Sequence, residues 1–294
     1  MAQPSYATAG ACGGRRATSH LLKGATMTAP SVQLYTVRDA VSADLQGAVA
    51  RVAEIGYTQV EPYAFVERAD EFAAAFAASG VTAPSGHAPV IDGDDDQAAR
   101  TFDAAAKLGI QTVIDPFIPS ERWQTADDAH RIADRVNELQ VQAAARGLAF
   151  GYHNHQWEFA NKVDGRPIYE LFVERLDADV VLELDAFWST VGGMDTPALL
   201  EQLGDRVRFL HVKDGKISDA IAKVLPSAES ALVVPPELAQ AFKMQEPAGQ
   251  GDVDVAAVLA AAPHALRVVE FDDYAGDVFD GIAASLAWLQ ENDK

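Results

Sequence analysis

The feature that most constrains the fold is a strict alternation of short apolar runs with longer helical stretches from Ser31 onward. Eight runs have the length and composition of buried strands: Val32–Tyr35, Gln59–Pro62, Ala83–His87, Thr112–Asp115, Ala149–His153, Val181–Asp185, Arg208–Val212 and Arg267–Phe271. Alternating strands and helices produce a parallel sheet, and eight such units are the number that closes a barrel. We therefore predict an α/β fold, a single (β/α)8 TIM barrel.

Apolar residues recur with the helical period between these runs. Helices are predicted over Leu45–Ile55, Phe72–Ser79, Arg100–Leu108, Ala126–Arg146, Pro167–Leu176, Pro197–Leu203, Val255–Ala262 and Phe279–Leu289. The first four end at glycine, which tolerates the left-handed backbone that closes a helix, and Thr196 before Pro197 is typical of a helix start. The alternative fold is an open doubly wound sheet. It usually has a glycine-rich loop after its first strand, and Leu34–Arg38 contains no glycine.

Two segments depart from the alternation. Residues 1–30 are rich in Ala, Gly, Ser and Thr without an apolar period, so we expect a disordered tail before a barrel over 31–294. Arg15 and Arg16 suggest twin-arginine export, but the apolar stretch of a signal peptide does not follow them. Gly215–Gly251, which contains four prolines, is a long insertion after strand seven, and loops of that length are usually lids or flexible insertions.

Charge and cysteine content limit the partners and the compartment. The formal net charge of −20 repels phosphate backbones and anionic membranes, so we expect neither nucleic acid nor a membrane as partner. No run approaches the ~18 apolar residues of a transmembrane helix. Cys12 is the single cysteine, which excludes an intrachain disulfide, and we expect a cytoplasmic protein. The sequence leaves a homo-oligomer open.

Side chains capable of chemistry stand at the ends of seven of the eight predicted strands. They are Glu61, His87, Asp115, His153, Asn154, His155, Glu158, Glu183, Asp185, His211, Lys213, Asp214, Glu270 and Asp272. The carboxyl ends of barrel strands converge on one mouth, where active sites lie. One such residue is more often a structural partner than a ligand, but the same placement on seven strands predicts an active site.

The spacing of these residues predicts a cation. Glu183 and Asp185 are two residues apart and face the same side of their strand, as do His211 and Lys213. Inward-facing carboxylates without a partner are costly, so a metal or another cation is expected. Mixed carboxylate and imidazole ligands suit Mn²⁺, Fe²⁺, Co²⁺ or Zn²⁺ better than Ca²⁺. The absence of cysteine from this region excludes a structural zinc site.

Four motifs carry a family resemblance: Tyr152–Phe159 (YHNHQWEF), Leu182–Trp188 (LELDAFW), Leu210–Asp214 (LHVKD) and Val269–Glu270. In order and spacing they resemble the xylose-isomerase-like barrel superfamily, and most of all its sugar phosphate isomerase/epimerase group. The resemblance spans about Ser31 to Leu289. That family includes isomerases, epimerases, inosose dehydratases, keto-glycoside lyases and endonuclease-like members, so the resemblance does not select one reaction.

The resemblance implies one divalent metal ion, Mn²⁺ first, with Co²⁺, Mg²⁺, Zn²⁺ and Fe²⁺ as alternatives. In the family, an acid from strand five, an acid from strand six, a histidine from strand seven and a glutamate from strand eight hold it. Asp185, His211 and Glu270 match three of these positions. The fourth position is open between Glu158 and His153, and we favour Glu158.

The remaining mouth residues receive roles from the same resemblance. His155, Lys213 and Glu158 are the candidate catalytic residues, for proton transfer and oxyanion stabilisation. The candidate substrate-binding residues are Glu61, His87, His153, Glu183 and Trp188. Trp157 and Trp188 could form an apolar wall against the sugar ring, and packing in the core is an equally good interpretation of both. For Lys213, the alternative to a catalytic role is an ion pair with Asp214 or Glu183.

The substrate is expected to be a small carbohydrate without a phosphate group, because no arginine-rich or glycine-rich phosphate cradle is evident at the strand ends. The Gly249–Asp254 stretch also matches a family turn, and we interpret it as a tight turn with a helix cap at Asp252.

Two reactions fit these expectations. The first is isomerisation or epimerisation of a sugar or keto-sugar by α-proton abstraction through an enediolate. The second is a lyase or dehydratase reaction, in which the same enolate expels a β-leaving group from a 3-keto-sugar or keto-glycoside. A phosphodiesterase acting on damaged DNA is opposed by the charge. A non-catalytic sugar-binding barrel is opposed by the three matching ligands.

Overall fold

The computed structural model describes residues 29–218 and 243–294. Eight parallel strands form one sheet: β1 Ser31–Gln33, β2 Gln59–Glu61, β3 Ser85–His87, β4 Thr112–Asp115, β5 Ala149–His153, β6 Val181–Asp185, β7 Val207–Val212 and β8 Leu266–Val269. Their order is β2-β1-β8-β7-β6-β5-β4-β3. Isolated parallel bridges, Gln59 with Thr82 and Tyr63 with His87, join the β2 and β3 sides. The predicted TIM barrel is confirmed.

The strand bounds agree best in the middle of the chain, where β4, β5 and β6 match the prediction. The first predicted strand is too long, because Leu34–Val37 turns into a 3-10 helix that the Gln33 side chain caps by accepting from the Tyr35 N–H. The last strand ends at Val269, so Glu270 lies just beyond it.

The helices lie around the barrel. They are α1 Arg38–Ala43, α2 Leu45–Ile55, α3 Ala69–Ser79, α4 Asp95–Leu108, α5 Ala126–Ala144, α6 Trp157–Ala160, α7 Ile168–Arg175, α8 Ala186–Val191, α9 Thr196–Leu203, α10 Val255–Ala261 and α11 Val278–Asn292. α4 begins five residues before its predicted start, because its polar first turn, capped by Asp94, has no apolar signal. None of the described helices is long and apolar enough to cross a membrane.

Two predicted helix caps are wrong by one or two residues. Asp195, rather than Thr196, caps α9 by accepting a hydrogen bond from the Ala198 N–H. Asp254, rather than Asp252, caps α10. In both cases an aspartate one or two positions away offers its carboxylate to the free N–H groups of the first turn.

The insertion after β7 is described at its two ends. Asp214–Gly215 pairs in antiparallel fashion with Gln245–Glu246. Asp214 accepts from the N–H groups of Gly251 (2.8 Å) and Val253 (3.1 Å), which fastens the returning chain to the end of β7. Residues 219–242, predicted as a lid or flexible loop, lie outside the described residues, as does nearly all of the predicted N-terminal tail, residues 1–28.

Candidate metal centre and active site

The inward-facing side chains change from apolar to polar along the strands. Phe209 and Val268 belong to a small apolar cluster. His211 and Glu270 come two residues after them and therefore face the same side. The barrel interior thus has an apolar floor, with a polar cluster above it at the C-terminal mouth.

The upper group of this cluster consists of His153, Asp185, His211 and Glu270, which are all buried and offer ligand atoms within 4.8 Å of one another. The Nδ1 atom of His211 lies 2.7 Å from Glu270 Oε2. The Nε2 atom of His153 lies 3.9 Å from Asp185 Oδ2, and the Lys213 ammonium lies 3.0 Å from the same oxygen. Two imidazoles and two carboxylates with their ligand atoms this close together are a donor set that fits a divalent transition metal.

The deeper group consists of His87, His153, Glu183 and His211, and it shares two histidines with the upper group. Oε2 of Glu183 lies 2.6 Å from His87 Nε2, 3.2 Å from His153 Nδ1 and 3.1 Å from His211 Nε2. Burial alone would raise the pKa of Glu183, but His211 and His87 lower it well below its usual range. Glu183 is therefore an anion within a set of imidazoles.

Glu61 lies beside this deeper group and is fully buried. Its Oε1 atom accepts from Gln33 Nε2 (2.8 Å) and from His211 Nε2 (2.9 Å). The Ser85 hydroxyl donates to Oε2. Side chains of β1, β3 and β7 therefore hold the carboxylate of β2 in place.

Lys213 is buried among three carboxylates, two from the upper group and one from Asp272. Its Nζ atom lies 3.0 Å from Asp185 Oδ2, 2.7 Å from Glu270 Oε2 and 2.9 Å from Asp272 Oδ2. Burial would lower the pKa of Lys213, but these acids raise it well above its usual value, so the side chain is an ammonium ion. The predicted alternative partners are wrong: among the described residues, the Nζ atom pairs with these three acids and not with Asp214 or Glu183.

Glu158 lies in a separate pocket. The Tyr152 hydroxyl donates to its Oε1 atom (2.6 Å), and the His155 N–H donates to Oε2 (3.0 Å). Burial raises the pKa of Glu158 to about 8. The structure places Glu158 outside both candidate ligand groups, whereas His153, the alternative, belongs to both.

His155 stacks on Trp157, with ring centroids 4.3 Å apart and planes at 9°. Burial and the neighbouring His153 lower the pKa of His155 well below its usual value, so the ring is neutral. Trp157 donates its indole N–H to the Ile118 carbonyl, and Trp188 is buried with Lys213 Nζ 5.6 Å from the centre of its ring. Trp157 thus packs in the core, as one of its two predicted interpretations has it, and it supports the His155 ring.

The prediction did not include several residues that complete the cluster. Gln33 and Ser85 bind Glu61, and Gln245 donates to Asp272 (2.6 Å) from the far end of the insertion. Gln33 and Ser85 had a usable signal, since each is a polar residue at an inward position of a short strand. Asp115, which the prediction included, instead accepts from the N–H groups of Val90 and Ile91 and so holds the loop after β3.

Solved structures share this fold. A sugar phosphate isomerase/epimerase from Parabacteroides distasonis has 21% identity and a TM-score of 0.69, over 94% of this chain and 98% of that one. A probable 3-DHS dehydratase, AsbF, involved in petrobactin synthesis in Bacillus anthracis, has 12% identity and a TM-score of 0.67, over 91% and 100%. The IolI protein with a bound zinc atom has 15% identity and a TM-score of 0.62, over 90% and 97%. At these identities the likeness shows the fold alone.

A comparison with curated proteins finds no match by sequence. The family model of the xylose isomerase-like TIM barrel matches residues 49–291, which is most of the chain, and it confirms the resemblance carried by the strand-end motifs. This protein belongs to the xylose isomerase-like TIM barrel family.

Proposed function

We propose that this protein is a divalent-metal-dependent isomerase or epimerase of a sugar or keto-sugar. The observation that carries the proposal is the upper group, His153, Asp185, His211 and Glu270, buried at the mouth of the barrel. A sugar phosphate isomerase/epimerase and a zinc-containing protein with the same fold support it.

The ion would be held by Asp185, His211, Glu270 and a fourth residue. We assign His153 to the fourth position in place of Glu158, because His153 lies with the other three whereas Glu158 is hydrogen-bonded in its own pocket. When bound, a divalent ion supplies Lewis acidity toward the carbonyl and hydroxyl oxygens of a substrate. Mn²⁺ is our first choice for the ion, as the resemblance implies.

His155 is the proposed general base. A base must be unprotonated near neutral pH, and the environment of His155 lowers its pKa and leaves the ring neutral. The stacked indole of Trp157 fixes the plane of the imidazole. Glu158, through the His155 N–H, fixes the backbone of the same residue. We therefore assign Glu158 a positioning role beside the base.

Lys213 is the proposed oxyanion-stabilising residue. Its ammonium group is permanently charged, since three carboxylates lie within 3.0 Å of it. Removal of an α-proton creates an enediolate, and a fixed cation beside the developing charge lowers the barrier without reorganisation. The predicted substrate contacts of Glu61, His87 and Glu183 are not part of this proposal, because His87 and Glu183 belong to the deeper group and Glu61 lies beside it.

The second candidate is a lyase reaction on a 3-keto-sugar or keto-glycoside. The probable dehydratase that shares this fold supports the lyase reaction as a candidate.

Incubation of the protein with keto-sugars and 3-keto-glycosides in D₂O with Mn²⁺ or Co²⁺, followed by mass spectrometry, tests the proposal. Isomerisation or epimerisation gives a product of the substrate's mass plus one deuterium, whereas elimination gives two fragments. An active protein that incorporates no solvent deuterium contradicts proton abstraction. Activity that survives complete chelation of the metal contradicts the metal-dependent mechanism.

A further inference from the structure

The two histidines that the upper and deeper groups share present a different ring nitrogen to each group. Nδ1 of His211 faces Glu270 at 2.7 Å, and Nε2 faces Glu61 at 2.9 Å and Glu183 at 3.1 Å. Nε2 of His153 faces Asp185 at 3.9 Å, and Nδ1 lies 3.2 Å from Glu183. Either group taken alone has the composition of a metal site.

The chemistry of imidazole decides between the two groups. A neutral imidazole has one nitrogen with a lone pair and one N–H. A neutral histidine that binds an ion through one nitrogen therefore has its N–H on the other nitrogen, where it can donate a hydrogen bond. If the upper group held an ion, the N–H groups would be on His211 Nε2 and His153 Nδ1. The first of these atoms lies 2.9 Å from Glu61 and 3.1 Å from Glu183, and the second lies 3.2 Å from Glu183. Neutral histidines cannot serve an ion in each group at once.

We propose that Glu183 and Glu61 are positioning residues for the two metal-binding histidines, and that the deeper group accepts their N–H groups and is not a second metal site. This inference rests on the proposed function. A carboxylate that accepts the free N–H of a ligating histidine selects its tautomer, fixes the ring and makes the other nitrogen a stronger ligand.

The acceptors are themselves held before any ion binds. Glu61 is held by Gln33 and by the Ser85 hydroxyl. Nε2 of His87 lies 2.6 Å from Glu183 and 3.1 Å from Glu61, so it links the two carboxylates. The His87 ring also stacks on His211, with centroids 5.3 Å apart and planes at 14°. The layer therefore fixes the orientation of His211 in advance, which lowers the cost of ordering the ligand when the ion binds.

Titration of the metal-free Glu183→Gln variant with Zn²⁺ tests whether Glu183 positions the metal-binding histidines. Glu183→Gln keeps the shape but places an amide, which carries its own N–H donors, among the imidazoles. We expect Zn²⁺ affinity to fall about 10- to 100-fold. Asp115→Asn is the matched control, because Asp115 is a buried carboxylate at the end of β4, outside both groups, that accepts from the N–H groups of Val90 and Ile91. Its Zn²⁺ affinity is expected to equal that of the wild type.

Nitrogen-15 spectra of the zinc-loaded wild-type protein test the same role without a variant. We expect His211 to bind through Nδ1 and carry its proton on Nε2, and His153 to bind through Nε2 with its proton on Nδ1. The reverse tautomers, or an unchanged affinity in Glu183→Gln while the wild type binds zinc, overturn the positioning role alone. Two ions per wild-type chain, one of them lost in Glu183→Gln, make Glu183 a ligand and also overturn it. A wild type that binds no zinc overturns the proposed function together with this inference.

Discussion

Two buried carboxyl groups near the ends of neighbouring strands have pKa values that are shifted in opposite directions. Glu158 lies in a pocket with the Tyr152 hydroxyl and a backbone N–H, and its pKa is raised to about 8. Glu183 lies among three imidazoles, and its pKa is held well below the usual value. Both side chains are fully buried, so burial alone does not decide the charge. The cationic neighbours decide it.

This difference separates two kinds of site on the same barrel. The pocket of Glu158 keeps a neutral carboxyl group beside the proposed base. The barrel mouth gathers the carboxylates and imidazoles that could hold a metal ion, and the Lys213 ammonium pairs with some of the same carboxylates.

Asp185→Asn is expected to abolish metal binding and to lower activity by about 10³-fold, because the Lewis acid contributes several kcal/mol to the transition state and each 1.36 kcal/mol is tenfold. The amide oxygen can still accept from the Trp188 N–H that Asp185 binds, so the fold is expected to persist. Metal analysis and initial rates measure both effects. Glu158→Gln is the paired variant, and it should retain its metal. Loss of the ion from Glu158→Gln but not from Asp185→Asn would reverse the assignment.

Lys213→Met is expected to destabilise the metal-free protein by about 3 kcal/mol, because Asp185, Glu270 and Asp272 lose their shared cation in a buried site. Urea unfolding with and without Mn²⁺ measures this loss, and the bound ion should recover part of it. Lys216→Met is the control, since Lys216 pairs with Asp252 at the surface and should change the free energy of unfolding by less than about 0.5 kcal/mol. Equal effects in the two variants would contradict the buried cation.

Glu158→Gln is expected to change how stability depends on pH. The pKa of Glu158 is raised from 4.5 to about 8 on folding, so the native state holds a proton that the unfolded chain has released. This carboxyl contributes its stability fully below pH 4.5 and loses it as the pH rises through 8, by about 1.4 kcal/mol per pH unit between these values. The difference between wild-type and variant unfolding curves should show this decline. A flat difference would mean that Glu158 is ionised in the folded protein.

The barrel and most of the site were predictable from the sequence, because both depend on simple periodicities. Eight apolar runs between helical stretches predict the closed sheet. The two-residue spacing of Glu183 and Asp185 predicts that they share a side, and the structure buries both on the barrel axis. Strand ends are less predictable, since the first predicted strand turned into a 3-10 helix through a hydrogen bond to the Gln33 side chain.

The side-chain contacts of Glu158 and Lys213 were not predictable. The pattern does not show that Glu158 would be bound by Tyr152, because that contact depends on how α6 turns back onto β5. Nor does it show that Lys213 would lie among three acids of β6 and the segment after β8. The Glu158 contact depends on a local turn of the chain. The Lys213 contacts depend on the packing of elements that are remote in sequence, which the apolar pattern of one sequence does not determine.

The anomalous-scattering map of a crystal grown with Mn²⁺ would test the proposed metal site most directly. We predict one peak per chain, bound by His153 Nε2, Asp185, His211 Nδ1 and Glu270, with Glu158 still hydrogen-bonded to Tyr152. A peak bound by Glu158, a peak in the deeper group between His87 and Glu183, or no peak at saturating Mn²⁺ would contradict it.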